Sequence, residues 1–308
     1  LPSSPPRRSS DLCIARVAVR DLGADAVFSS ADNDDVMRLL STRSWLTGQS
    51  WFDMTQYGVL PPEGVSLHWT RYIDLGLGGL VALFGLFVPP STAELWAVIV
   101  WPVLLLGALI VVTGYGTRRL VSPMAGIIAM FMIFVWAPIS LGYFRPGRVD
   151  HHNVQILLTT GLIFTLVAPG QARKLGIIGG LVAALSLAVG LELLFTIATA
   201  AVVLALRAVL QRGSAQVQFL SFAVTLGVAA PLLFAGQTAP AAWAVPRCDV
   251  LSLPFLSLTT LGALVAGGTY LAAPRLASPY ARLGVFLGLS GLGVALLLPV
   301  LTPCLEGP

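Results

Sequence analysis

I-D-L-G-L-G-G-L-V-A-L-F-G-L-F-V, residues 73–88, stopped by Pro89-Pro90, is the stretch on which the topology turns. At roughly 16 residues and rich in glycine, it is short of the ~20 apolar residues that carry a helix across a bilayer. Counted as a crossing, it inverts everything downstream. Read as a re-entrant or interfacial helix, it puts Arg118/Arg119, Arg173/Lys174, Arg207/Arg212 and Arg275/Arg282 on one side and Arg145, Arg148 and Arg247 on the other. Basic residues accumulate on the cytoplasmic side of short loops, so eight against three selects the non-crossing reading. The loops around Asp32 and Asp150, the turn at Gly190, the loop from Ala235 to Val250 and the C-terminus are then all expected on the external face.

The chain around this segment is that of a membrane protein. Its 308 residues are 56% hydrophobic and only 10% charged, far more apolar than a soluble domain. The apolar residues come in continuous runs of about 15 to 23, not in the every-second-residue alternation of a membrane barrel. The expected class is all-α, a polytopic helical membrane protein. A net charge of +4 spread over inter-helix loops carries topology information and excludes a nucleic-acid surface.

Residues 1–30 read as a tail, low-complexity at the start (L-P-S-S-P-P-R-R-S-S-D) and then too charged for a span. Residues 31–94 read as an external loop lying on the membrane. Val36, Leu39, Leu40 and Leu46 predict a short amphipathic helix after an Asp N-cap, and Pro61-Pro62 with Gly64 makes a turn. Trp45, Trp51, Tyr57, Trp69 and Tyr72 supply headgroup-level rings. Residues 95–303 form a transmembrane domain of about eight spans: 95–115, 123–143, 154–168, 175–189, 191–210, 219–235, 251–273 and 283–301. Residues 304–308 read as the start of a missing external region.

The polar centre of this apolar chain is G-Y-F-R-P-G-R-V-D-H-H-N-V-Q, residues 142–155, where two arginines, an aspartate and two of the three histidines lie within eight residues. Charges kept at a membrane boundary are functional by default. With the sidedness above, Asp34, Asp35, Asp150, His151, His152 and Glu192 belong to one face. Carboxylates from one loop and an Asp-x-His from another suit a divalent ion, Mg²⁺ by the oxygens and Mn²⁺ by the imidazole. Arg145 and Arg148 offer fork-shaped donors for phosphate oxygens. Plainer readings stand beside these: Asp34/Asp35 as helix-start acids, Asp150 and Glu192 as caps, the two histidines as interfacial, and the two arginines as headgroup anchors. Cys248 and Cys304 fall on the same external face, where they can pair.

The order of motifs resembles the GT-C membrane glycosyltransferases. Asp34-Asp35, followed by Gly48 and Trp51, is similar to their first external loop. T-R-R-L-V-S-P-M-A-G, residues 117–126, is similar to a turn in the catalytic subunit of oligosaccharyltransferase, and Asp150-His151-His152 resembles the D-H-H of its archaeal members. The resemblance covers residues 32–158. It implies Asp34, Asp150 and His152 as metal ligands, Asp34 and Asp35 as the catalytic acids, and Mn²⁺ or Mg²⁺ as cofactor. It further implies a lipid-linked sugar donor on a polyprenyl phosphate or pyrophosphate in the lipid bilayer, whose phosphate the two arginines above would suit, and an external or periplasmic active face. The acceptor is left open. Gln155 stands where a glutamate is common in that family. The competing expectation is a transporter or lipid-carrier flippase, which calls for an internal repeat and polar groups at mid-membrane; the sequence offers neither clearly.

Overall fold

The computed structural model describes residues 32–140 and 142–305, with the side chains of 136–140 left aside. The expected tail over residues 1–30 and the last three residues lie outside this range. The architecture is all-α. Helices α1 (Asn33–Leu46), α2 (Arg71–Phe84), α3 (Pro90–Leu120), α4 (Pro123–Ser140), α5 (His152–Val167), α6 (Ala172–Val189), α7 (Leu194–Leu210), α8 (Ser214–Gln237), α9 (Leu253–Ala272) and α10 (Pro279–Leu305) follow in order. A two-residue hairpin, β1 (Thr55–Gln56) against β2 (Val65–Ser66), interrupts the first loop. Among the described residues five helices are long and apolar enough to cross a membrane, and Pro123–Val135, His152–Val167 and Leu194–Leu210 are shorter apolar helices.

The chain folds as two compact units. One takes the residues up to Ala108 together with Met132–Asn153, and the other Leu109–Phe131 together with Val154 onward. The expected division at residue 94 does not coincide with either, because α3 and α4 each contribute to both.

In the first unit, Thr70 opens α2 by accepting the Tyr72 N–H on its hydroxyl. The helix runs only 14 residues before the turn at Gly85, a rise of about 21 Å against a hydrocarbon core of about 30 Å. Its first turn also buries Arg71 and Asp74 completely, which no lipid-facing crossing tolerates. Leu39 of α1, Leu77 of α2, Ala97 and Val98 of α3 and Val149 form the core, with Val36, Leu80, Val81, Phe84 and Trp101 packed on it. Pro102 sits inside α3 and has no N–H for the carbonyl of Val98. Gly147, at φ +88°, donates its N–H to that carbonyl at 3.0 Å. The loop that holds the polar centre is thereby seated on the one rung α3 cannot satisfy itself.

In the second unit, α6 and α8 pack with unusually close backbones. A Cβ built on Gly176 would stand 2.4 Å from the Gln218 carbonyl, and one on Gly180 would stand 2.6 Å from that of Phe222. Small residues at such crossings let apolar helices associate where lipid offers no hydrophobic drive. Gly180→Leu is therefore expected to force the pair apart. It should lower stability by about 2–3 kcal/mol, the cost of overpacking, as read from thermal unfolding in detergent; an unchanged midpoint would refute the tight crossing.

Basic side chains assigned above to one side bond backbone carbonyls of this unit. Arg119 donates to the Pro169 carbonyl at 2.8 Å, Arg207 to Leu166 at 2.8 Å, Arg282 to Val209 at 2.8 Å, and Arg212 to Leu276. Leu166 and Val209 sit in the last turns of α5 and α7, where carbonyls lack an intrahelical donor, and Pro169 and Leu276 sit in loops. The expected break in the 175–210 run is present, with α6 ending at Val189 and α7 starting at Leu194. Cys248 and Cys304 form a disulfide that joins the segment before α9 to the last turn of α10. The span expected over 123–143 is shorter, since α4 ends at Ser140 and Tyr143 lies in the loop that follows.

Candidate metal centre

The site grows from one face of α1. Asp35 and Arg38, three residues apart, lie on the same side of the helix as Leu39, and all three are buried. Asp35 acts as a clamp. Its Oδ1 accepts the backbone N–H groups of Val149 at 2.8 Å and Asp150 at 3.0 Å. Its Oδ2 receives Arg148 Nη1 at 2.9 Å and the Asp32 N–H at 3.2 Å, the second bond closing the start of α1. Burial pushes the Asp35 carboxyl above the usual range, opposed by the Asp150 N–H, the Arg148 charge and the other two N–H donors.

Held in this way, the 148–152 turn gathers Asp150, His151 and His152. Asp150 Oδ1 lies 2.7 Å from His151 Nδ1, and its Oδ2 lies 2.9 Å from His152 Nδ1. One ligand atom from each of the three falls within 4.8 Å of the others. Burial would raise the Asp150 carboxyl, but the hydrogen bonds to both histidines and the charges of His151 and Arg38 outweigh it and hold this group well below the usual carboxylate range. Asn153, buried behind them, donates to the Arg148 carbonyl at 2.9 Å and the Tyr143 carbonyl at 3.3 Å, which fixes the entry to α5. One carboxylate with two imidazoles is a donor set suited to a divalent transition ion more than to Mg²⁺, which prefers all-oxygen shells.

A second buried layer supports the first. Arg38 is fully buried, with Nη1 on the Thr70 carbonyl at 3.0 Å and on Asp74 at 3.3 Å, and its guanidinium 4.4 Å over the Trp69 ring. Its Nη2 lies 3.6 Å from Asp150 Oδ1, an ion pair at longer than hydrogen-bond range. Asp74 in turn receives Ser41 at 2.8 Å, Thr42 at 3.2 Å and Arg71 at 2.9 Å. Arg71 continues to the carbonyls of Ser41, Trp51 and Asp53 and to Gln49. The first loop is thus tied to the site by charges that are nearly all internally matched.

Of the residues singled out from sequence, Asp150 and His152 stand together, and His151 joins them. Asp35 touches the same turn through its backbone. Asp34 is exposed on the first turn of α1 and lies outside the group of three. Arg148 binds Asp35 and stacks on Tyr143, 5.2 Å from guanidinium to ring, while Arg145 is exposed on the same loop. Sequence reading passed over Arg38, Tyr143 and Asn153. The i,i+3 spacing from Asp35 was the available signal for Arg38; Tyr143 was hidden inside an expected span.

Three comparisons bear on this geometry. No protein-family profile and no curated protein matches the chain. Among solved structures it is similar to the archaeal oligosaccharyltransferase AglB from Archaeoglobus fulgidus in complex with an inhibitory peptide and a dolichol-phosphate, with a TM-score of 0.68 at 16% identity over 97% of this chain and 38% of that one. It is also similar to the Archaeoglobus fulgidus oligosaccharyltransferase in complex with Zn and sulfate, with a TM-score of 0.62 at 17% identity over 97% of this chain and 40% of that one. The apo form of that enzyme gives a TM-score of 0.61 at 16% identity. The chain spans about two fifths of the length of these proteins. At this identity the likeness concerns the fold: the chain is an all-α polytopic membrane protein with a GT-C-like, oligosaccharyltransferase-like fold.

Proposed function

We propose that the chain is the membrane part of a glycosyltransferase that moves a sugar or oligosaccharide from a polyprenyl phosphate or pyrophosphate to an acceptor on the external face. The observation that carries this reading is the Asp150–His151–His152 cluster, clamped through Asp35 in a fold shared with oligosaccharyltransferases. Support for a lipid-phosphate donor and for a divalent ion comes from those relatives, one of which is described with dolichol-phosphate and one with Zn and sulfate. Support for the external face comes from the Cys248–Cys304 disulfide, a bond that persists in oxidising compartments.

In this reading Asp150 and His152 would hold a divalent ion, Mn²⁺ before Mg²⁺, with His151 beside them, and Asp34 stands exposed on the first turn of α1. A bound ion of this kind neutralises charge on a departing phosphate. Arg145 and Arg148 hold the phosphate oxygens by charge-assisted hydrogen bonds. The bond from the sugar's anomeric carbon to the phosphate oxygen breaks with its electron pair going to oxygen, and the acceptor atom forms the new bond to that carbon. Asp34, the exposed acid, orients the acceptor and takes its proton. Asp35 works by keeping the 148–152 turn in place.

Mn²⁺ titration of the full chain in detergent tests this. Asp150→Ala and His152→Ala are each expected to lose more than the roughly 10- to 100-fold that removal of an outer-shell partner costs. Unchanged Mn²⁺ uptake and unchanged turnover of lipid-linked sugar in both variants would reject the assigned site.

A further inference from the structure

The contacts around the cluster close into a ring. Asp35 binds the Asp150 N–H, Asp150 Oδ2 meets His152 Nδ1, the His152 imidazole stacks on Tyr143 at 5.1 Å and 19°, Tyr143 lies under the Arg148 guanidinium, and Arg148 returns to Asp35. Every member but Tyr143 has a place in the reading above. Tyr143 is also the only link in this ring that carries no charge and makes no hydrogen bond to its neighbours in it, so its contribution is the face of its ring.

That face has a specific task. His152 is the first residue of α5, with 40% of its side chain exposed; its Nδ1 meets Asp150 and its ring lies tilted by 45° against that of His151 at 4.5 Å, contacts that do not by themselves fix the plane of the imidazole. A near-parallel ring against it fixes that plane. The tyrosine itself is held from the Arg148 side, and Arg148 is anchored by the fully buried Asp35. The backbone clamp that Asp35 places on Asp150 therefore has a counterpart reaching His152 through two stacked groups. We propose that Tyr143 is a positioning residue of the metal centre, holding the His152 imidazole in the orientation in which it ligates the ion and relaying to it the anchoring of Arg148 by Asp35. The inference rests on the metal-site reading of the preceding subsection and deepens it.

The test uses Co²⁺, whose visible absorption reports ligand type and geometry, with the full chain in detergent and affinity measured by calorimetry. Tyr143→Phe keeps the ring and is expected to match wild type in both spectrum and affinity. Tyr143→Leu keeps apolar bulk without the ring. It should bind Co²⁺ roughly 2- to 13-fold more weakly, the equivalent of an aromatic pair worth about 0.5–1.5 kcal/mol, with an altered visible spectrum. Wild-type spectrum and affinity in Tyr143→Leu overturn the proposal, and so does a Tyr143→Phe chain that binds as weakly as Tyr143→Leu. If Tyr143→Leu does not fold, Tyr143→Phe decides: retention supports the ring-face role and weakening overturns it. A wild-type chain that takes up no Co²⁺ sinks the metal-site reading as well, which separates the two failures.

Discussion

Asp74→Ala is expected to lower the unfolding free energy of the chain by about 3–5 kcal/mol, the cost of breaking a buried charge cluster from one side. Asp74 is fully buried and is the carboxylate shared by Arg38 and Arg71, both also fully buried. Its removal leaves Arg71 with neutral acceptors alone and Arg38 with only the longer ion pair to Asp150 at 3.6 Å, and it strips acceptors from Ser41 and Thr42. Desolvation of buried cations short of a close carboxylate outweighs the hydrophobic gain of a methyl group. Asp74→Asn keeps the shape and one acceptor oxygen and should fall between wild type and alanine. Thermal unfolding in detergent, followed by helical circular dichroism, measures both. A loss below about 1 kcal/mol for the alanine variant would mean that the two arginines find other partners.

Asp35→Ala should act on stability and metal uptake together. The substitution leaves the N–H groups of Val149 and Asp150 without their acceptor, at about 1–3 kcal/mol for each buried group. Arg148 is partly exposed and can turn toward water, so its lost ion pair adds less than a buried one would. An expected total of about 3 kcal/mol in stability comes with a fall of roughly 10- to 100-fold in Mn²⁺ affinity, because the turn that presents Asp150 and His152 is no longer held. Asp34→Ala is the comparison. Exposed on the first turn of α1, it should change stability by less than about 0.5 kcal/mol. Equal stability losses at the two positions would remove the basis for giving Asp35 a holding role and Asp34 a chemical one.

These two acids show how far the sequence could be read. Consecutive residues on a helix point about 100° apart, so only one of Asp34 and Asp35 can face the core. The period that runs from Asp35 through Arg38 and Leu39 identifies which, although both acids look alike as first-turn residues. The membrane helices were legible because lipid demands unbroken apolar runs with every backbone group satisfied internally, and Gly190 with Glu192 marked the break between α6 and α7. The expectation that α2 does not cross rests in the sequence on charge sidedness alone, whereas the burial of Arg71 and Asp74 in its first turn depends on partners in α1 thirty or more residues away. Such pairings leave no local pattern. The same holds for Tyr143, whose apolar neighbours made it look like the end of a span.

Pro102 gives the arrangement a mechanical side. A helix of 31 residues lends one of its carbonyls to the loop at Gly147, five residues before His152. The turn that bears Asp150 and His152 is thereby hitched to a helix long enough to span a bilayer, and the tilt of such a helix answers to bilayer thickness.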